Sequence, residues 1–210
     1  MSRAKRTEET RRQQAVLSEV KAQEQRRNPG MLVCDSPQRF FVADVVLMME
    51  YLQHETKRIV YRDIKPENML IHHSGHLKLI DFGFAKVLNP EQNFKTHTVC
   101  GTVEYQAPEM LLRKAYDETA DWWSVGCLIY EIFNHKGPFH KRRTEFEIQQ
   151  AILANQVDYR VIKNRYARDL SRRCLTFDPA KRAGSNRRWR SSSSKSQGKT
   201  RLEWLSTAGP

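Results

Sequence analysis

Apolar positions along this chain of 210 residues change their period several times, and each change marks an element. Phe41, Val42, Val45, Val46, Met48, Met49 and Leu52 recur at three- and four-residue spacing, which predicts a well-buried helix. Ser36-Pro37 opens it as a cap followed by proline at the first helical position. Short β-type runs follow at Ile59-Val60, at Met69 to Ile71 and at Leu77 to Ile80, with His73-Ser74-Gly75 turning the chain between the last two. Residues 81–109 have little periodicity and predict an extended loop, a form that in a compact domain is functional or disordered. Helical spacing returns over 119–134 (Ala120, Trp123, Val125, Leu128, Ile129, Ile132, Phe133), near 144–154 and over 166–176.

The two ends differ from this centre. Residues 1–27 are rich in Arg, Gln and Glu; Val16, Leu17 and Val20 give one thin helical stripe, closed by Asn28-Pro29-Gly30. After Arg182 the composition falls to Arg, Ser, Lys and Gly, which offers nothing to offset the entropy of folding. The expected organisation is a charged marginal helix over 1–35, a mainly α domain with a small β-hairpin over 36–183, and a disordered Arg/Ser-rich tail over 184–210.

Charge follows the same division. The net charge is +12, of which residues 1–30 contribute +4 (eight Lys/Arg, four Asp/Glu) and residues 184–210 contribute +5 (six against one). The centre is close to balanced. Arg187, Arg188 and Arg190 around Trp189 would permit phosphate contact and base stacking, but a solvated tail is the simpler reading and nucleic acid is not an expected partner. Cys34, Cys100, Cys127 and Cys174 are far apart, without metal-ligand spacing, and fit reduced thiols in the cytosol or nucleus. No apolar run approaches the ~20 residues of a bilayer helix, and His72, His73 and His76 read as exposed imidazoles on a turn.

The chemistry sits between the β-runs. Asp63 and Asn68 bracket Lys65 and Pro66 just after a short strand, and Asp81-Phe82-Gly83 follows one hairpin later. Folding that hairpin back brings Asp81 toward Asn68, an oxygen pair suited to Mg²⁺. Asp63 is then left to accept a hydroxyl proton, and Lys65 faces a phosphoryl group in transfer. Such an inventory works by positioning and charge neutralisation.

Tyr61-Arg62-Asp63-Ile64-Lys65-Pro66-Glu67-Asn68 resembles the catalytic loop of eukaryotic protein kinases. Asp81-Phe82-Gly83 resembles their metal-binding motif, and Ala107-Pro108-Glu109 the end of their activation segment. Tyr61, Phe84-Ala85-Lys86 and the run Thr98 to Tyr105 resemble the AGC group, most of all its cyclic-nucleotide-dependent members. Lys65 beside Pro66 is the serine/threonine form of the loop.

The resemblance implies a kinase-like C-terminal lobe from about Ser36 to Ala183. ATP and Mg²⁺ would be its cofactors, a protein its substrate, and a regulatory subunit a possible partner. It implies Asp63, Lys65 and Asn68 as catalytic residues, with Lys65, Glu67, Asn68 and Asp81 at the nucleotide and Asn68 and Asp81 on the metal. Thr98 would be a phosphosite paired with Arg62, and Thr102 would stand beside Asp63 and Lys65. Asp121 would anchor the central helix under the catalytic loop, and Glu109 would pair with Arg182. Val103 and Gln106 stand where the family usually has Pro and Leu, which bears on peptide preference.

Residues 1–60 contain one glycine, Gly30, so no Gly-rich phosphate loop lies there. No strand carrying the nucleotide-gripping Lys is recognisable, and Glu19 is at most a remnant of that Lys–Glu pair. The small lobe is expected to be largely absent and the chain alone to lack activity, as a truncated or mis-assembled kinase would. The competing expectation is a non-catalytic, kinase-like binding module.

Overall fold

A computed structural model describes residues 37–184. The expected N-terminal helix with Glu19, the Ser36 cap and the Arg/Ser tail beyond Gly184 lie outside the described residues.

Helix α1, Pro37–Leu52, forms where the apolar stripe predicts it and buries Phe41, Val42, Val45, Met49 and Leu52. Asp44 interrupts that stripe without leaving the interior. Its Oδ2 accepts from the Leu77 amide at 2.8 Å and its Oδ1 lies 3.1 Å from His76 Nδ1. A buried carboxylate needs such partners, so the residue that breaks the pattern ties α1 to the hairpin. His76 is exposed, as its turn suggests, and its ring nitrogen also faces Asp44.

Strand β1, Ile59–Val60, leads into the loop that holds the site. The hairpin follows: β2, Met69–Ile71, pairs antiparallel with β3, Leu77–Leu79, in the register Met69↔Leu79. Beyond it β4, Lys86–Val87, pairs with β1 in a second two-stranded sheet. This strand falls within the stretch read as loop. Two residues carry no period, and β4 exists only because β1 offers an edge and Arg58 O accepts from Leu88 N at 2.8 Å. The same stretch also contains 3-10 turns at Pro90–Gln92 and Val103–Tyr105 and the short helix α2, Pro108–Leu111.

Helix α3, Thr119–Asn134, is the centre of the fold, with its first twelve residues all buried. One side packs with α1, Tyr61 and Ile64; the other packs with Val60, Met110, Phe139 and Ile152. Helix α4, Glu145–Leu153, opens with a capping box in which Thr144 Oγ1 accepts from Glu147 N while Glu147 accepts from the Thr144 amide. Helix α5, Arg165–Cys174, is capped by Asn164, whose side chain accepts from the Tyr166 and Ala167 amides. It lies close against α3: a methyl group on Gly126 would stand 2.7 Å from Cys174 Cβ. The result is mainly helical with a minor β component, as expected. Among the described residues no helix is long and apolar enough to cross a membrane.

Candidate functional site

The catalytic-loop segment is held from below by one buried carboxylate. Asp121, in the first turn of α3, accepts from Tyr61 N and Arg62 N, each at 2.8 Å, and from Gln53 Nε2 at 3.3 Å. Burial raises its pKa to about 6 against the opposing pull of those three donors. Gln53 in turn receives the Trp122 indole N–H at 2.8 Å. Arg62 adopts φ +72°, an uncommon backbone state for a side chain of its size. The two amide bonds to Asp121 hold the turn there.

Above this anchor the polar side chains close into a ring. Asn68 Nδ2 donates to Asp63 Oδ2 at 2.7 Å and to Asp63 O at 2.8 Å. Lys65 Nζ lies 2.9 Å from Asp63 Oδ2 and donates to Thr102 Oγ1 at 2.9 Å. Thr102 donates to Asp63 Oδ1 at 3.3 Å. Asp63 and Asn68 are buried, while Lys65 is half-buried. Asp63, Lys65, Asn68 and Thr102 are thus brought together as expected from sequence.

Asp81 joins them through the hairpin. Ile80 N donates to Asn68 O at 3.0 Å, so the ladder sets Asp81 one residue beyond the point facing Asn68. Asp81 has φ +58°, and its Oδ1 accepts from Gly83 N at 2.9 Å. Its second oxygen carries no hydrogen bond among the described residues. Asn68 spends its amide N–H on Asp63, which turns its oxygen elsewhere. Two oxygen donors from adjoining strand ends suit a hard cation that completes its shell with water and phosphate. No cluster of three or more His, Cys, Asp and Glu side chains at metal-binding distance exists among the described residues. Glu67 stands exposed on the 3-10 turn Pro66–Asn68, outside the ring of bonds.

The segment carrying Thr98 borders the ring. Thr98 is exposed, and its carbonyl accepts from the Tyr116 hydroxyl at 2.5 Å. Arg62 Nε donates to Phe84 O, and its buried Nη1 has no hydrogen-bond partner. The arginine's charge also acts on Tyr116, working against the burial that raises that phenol's pKa. Arg62 and Thr98 therefore both bear on one tyrosine, Arg62 through a side-chain hydrogen bond and its charge, Thr98 through its carbonyl. Gly101 turns the chain at φ +85°, where a side chain would come within 2.4 Å of Arg62 O. Gln106 donates to Cys100 O at 3.0 Å and Gly101 O at 3.2 Å. An amide at this position pins the turn in a way the family's usual leucine could not.

The segment ends in a buried ion pair. Glu109, in α2, receives Arg182 Nη1 at 2.6 Å and Nη2 at 2.8 Å, and Arg182 also donates to the carbonyls of Thr119, Thr176 and Phe177. The Arg182 side chain is 0% exposed. Sequence reasoning passed over Asp44 and Gln53, whose structural work leaves no local pattern.

The Asp63–Lys65–Asn68–Thr102 group, its acid and amide buried, stands beside an Asp-Phe-Gly turn, the arrangement that the protein kinase resemblance implies. A protein kinase domain family model matches residues 5–192, and the chain belongs to that family. The match begins ahead of Ser36, so the likeness reaches into the N-terminal segment, further than the large lobe to which the sequence reading confined it. Among relatives, the chain is 40% identical over 159 residues to cAMP-dependent protein kinase catalytic subunit 3 of Drosophila melanogaster, covering 76% of this chain and 26% of that protein. It is 40% identical over 156 residues to the cAMP-dependent protein kinase catalytic subunit of Dictyostelium discoideum (74% and 23%). To cAMP-dependent protein kinase catalytic subunit PRKX of Homo sapiens it is 41% identical over 146 residues (70% and 39%). These similarities support an AGC, cAMP-dependent-like branch. The chain spans between about a quarter and two fifths of the length of these relatives.

Proposed function

We propose that this chain builds the phosphoryl-transfer half of a serine/threonine kinase site, with a protein hydroxyl as acceptor. The observation that carries the reading is the closed ring of Asp63, Lys65, Asn68 and Thr102 with Asp81 set beside it by the hairpin. Asp63 accepts the proton of the incoming hydroxyl and, through Thr102 and Lys65, is kept from rotating away. Lys65 places a positive charge on the same side. Asn68 and Asp81 are the residues that would hold Mg²⁺. Magnesium-bound ATP, when present, supplies the phosphoryl group and the charge that neutralises its oxygens.

Thr98 is the regulatory site in this reading. A phosphate there would bring acceptor oxygens to a segment bordered by Arg62, whose Nη1 is buried and unpartnered. The cytosol or nucleus is the expected location, and a regulatory subunit the expected partner.

The triphosphate grip is not among the described residues, and residues 1–60 lack a Gly-rich loop. Removing one preorganised donor typically costs ~10²–10³ in turnover, and here the cradle and its lysine are lacking together. The 210-residue chain by itself is therefore expected to transfer no measurable phosphate to a generic basic peptide in a radiolabelled ATP assay. Turnover that disappears in Asp63→Asn would overturn that expectation. Calorimetric titration tests the site itself: Mg²⁺-dependent ATP binding abolished by Asp81→Asn supports it. Absence of any binding favours the non-catalytic module.

A further inference from the structure

A groove of about 480 Å³ runs between the loop 141–143 and α4, remote from the Asp63 ring in sequence. Three consecutive cations, Lys141, Arg142 and Arg143, form one bank. The Arg142 guanidinium donates to Gln156 Oε1 at 2.6 Å and so fixes that side across the groove. Lys141 and Arg143 have no side-chain ion pair among the described residues. On the other bank stands Phe146, at 69% the most exposed large apolar side chain among the described residues. Ala151 and Ala154 leave space on the floor.

We propose that this groove docks an acidic segment of another protein, one that presents a single apolar side chain to Phe146 and the alanines. Exposed aromatics beside arginine are the composition of binding hot spots, and the cations select for negative charge. The chain does not supply the occupant itself, because its ends carry +4 and +5. A second copy meets the same repulsion. A nucleic-acid backbone fits less well. Glu147 shares the rim with the cations, so an unbroken row of phosphates would run onto it, whereas a peptide spaces its carboxylates to miss it. Glu147 is directed at the Arg143 and Thr144 amides, at 2.7 and 3.4 Å, and makes no ion pair with the Arg143 head, although the charges of Arg142 and Arg143 act on it. Asp158, the other nearby carboxylate, is held by Arg160 at 2.8 and 3.0 Å. The proposal concerns recruitment and stands whether or not the chain transfers phosphate.

Fluorescence anisotropy on the full chain tests it, using a short labelled peptide of Asp and Glu around one Leu. Lys141→Glu with Arg143→Glu is expected to weaken binding at least ~10-fold, and Phe146→Ala several-fold. Replacing the peptide's Leu by Ser should mimic Phe146→Ala. All three residues are exposed, so melting temperatures should stay unchanged. Charge reversal at Lys78 and Lys163, exposed on other elements, should leave affinity intact. Equal loss from that control, no binding of the acidic peptide, or tighter binding of an oligouridine displaced by the same substitutions would each overturn the proposal.

Discussion

A single side chain, Asp121, decides whether the catalytic-loop backbone keeps its shape. It accepts from two successive amides and an amide side chain inside the protein, and burial drives its pKa to about 6. Asp121→Asn would turn an NH₂ against at least one of those N–H groups. A buried donor without a partner costs roughly 1–3 kcal/mol, so urea unfolding should show a loss in that range at pH 7. The pH dependence has a defined sign. The folded pKa lies above the ordinary aspartate value of 3.8, so the folded state holds a proton that the unfolded state has released. Stability from this group therefore rises as pH falls from 7 through 6, and is lost again on the way up. The stability difference between wild type and Asp121→Asn should accordingly widen between pH 7 and pH 5. A constant difference would mean that Asp121 titrates as an ordinary carboxylate.

At the scale of elements, packing between α3 and α5 gives a direct test. A methyl at Gly126 would meet Cys174 Cβ at 2.7 Å and Leu175 Cγ at 2.8 Å. Helix propensity alone favours Ala over Gly by about 1 kcal/mol, so the contact opposes the propensity. Gly126→Ala is expected to destabilise by about 1–3 kcal/mol, as overpacked cores do, measurable by thermal melting. A second element-level pair, Glu109 with Arg182, is fully enclosed. Glu109→Gln would leave a buried guanidinium uncompensated and should cost about 3–5 kcal/mol, whereas replacing both residues by apolar ones of similar volume should cost less. Elements with a long period were legible in the sequence: α1 and α3 appear over the residues their stripes mark. Asp63, Lys65 and Asn68 were legible because they lie within one short segment, with Asp81 one hairpin away, whereas Thr102, 39 residues from Asp63, was reached only through the kinase resemblance. Strand β4 was not, because two residues have no pattern and their partner, β1, is 27 positions back. Asp44 and Gln53 were not legible either. A polar residue on an apolar stripe shows its purpose only when the neighbour it bonds is known.

Across the whole molecule, the thiols report on integrity. Cys127 and Cys174 are buried against α3 and α5 and are not in disulfides. Burial raises both thiol pKa values, that of Cys174 to about 12. At pH 8 neither should react with iodoacetamide in the native protein, while the partly exposed Cys100 reacts slowly because burial raises its pKa as well. Mass spectrometry of labelled peptides should show the two buried thiols becoming reactive only in denaturant. Early labelling of Cys174 under native conditions would mean that α5 detaches from the core independently.

The clasp between Glu109 and Arg182 has a consequence during synthesis. Its two halves are 73 residues apart, so a ribosome delivers the glutamate, the ring around Asp63 and the whole central helix before the guanidinium leaves the exit tunnel. Until then the nascent chain carries a carboxylate with no counterion at the very point where the Thr98 segment rejoins the body. Completion of the lobe is therefore the last event in its manufacture, and any transcript that stops short of codon 182 yields a lobe whose segment is never fastened.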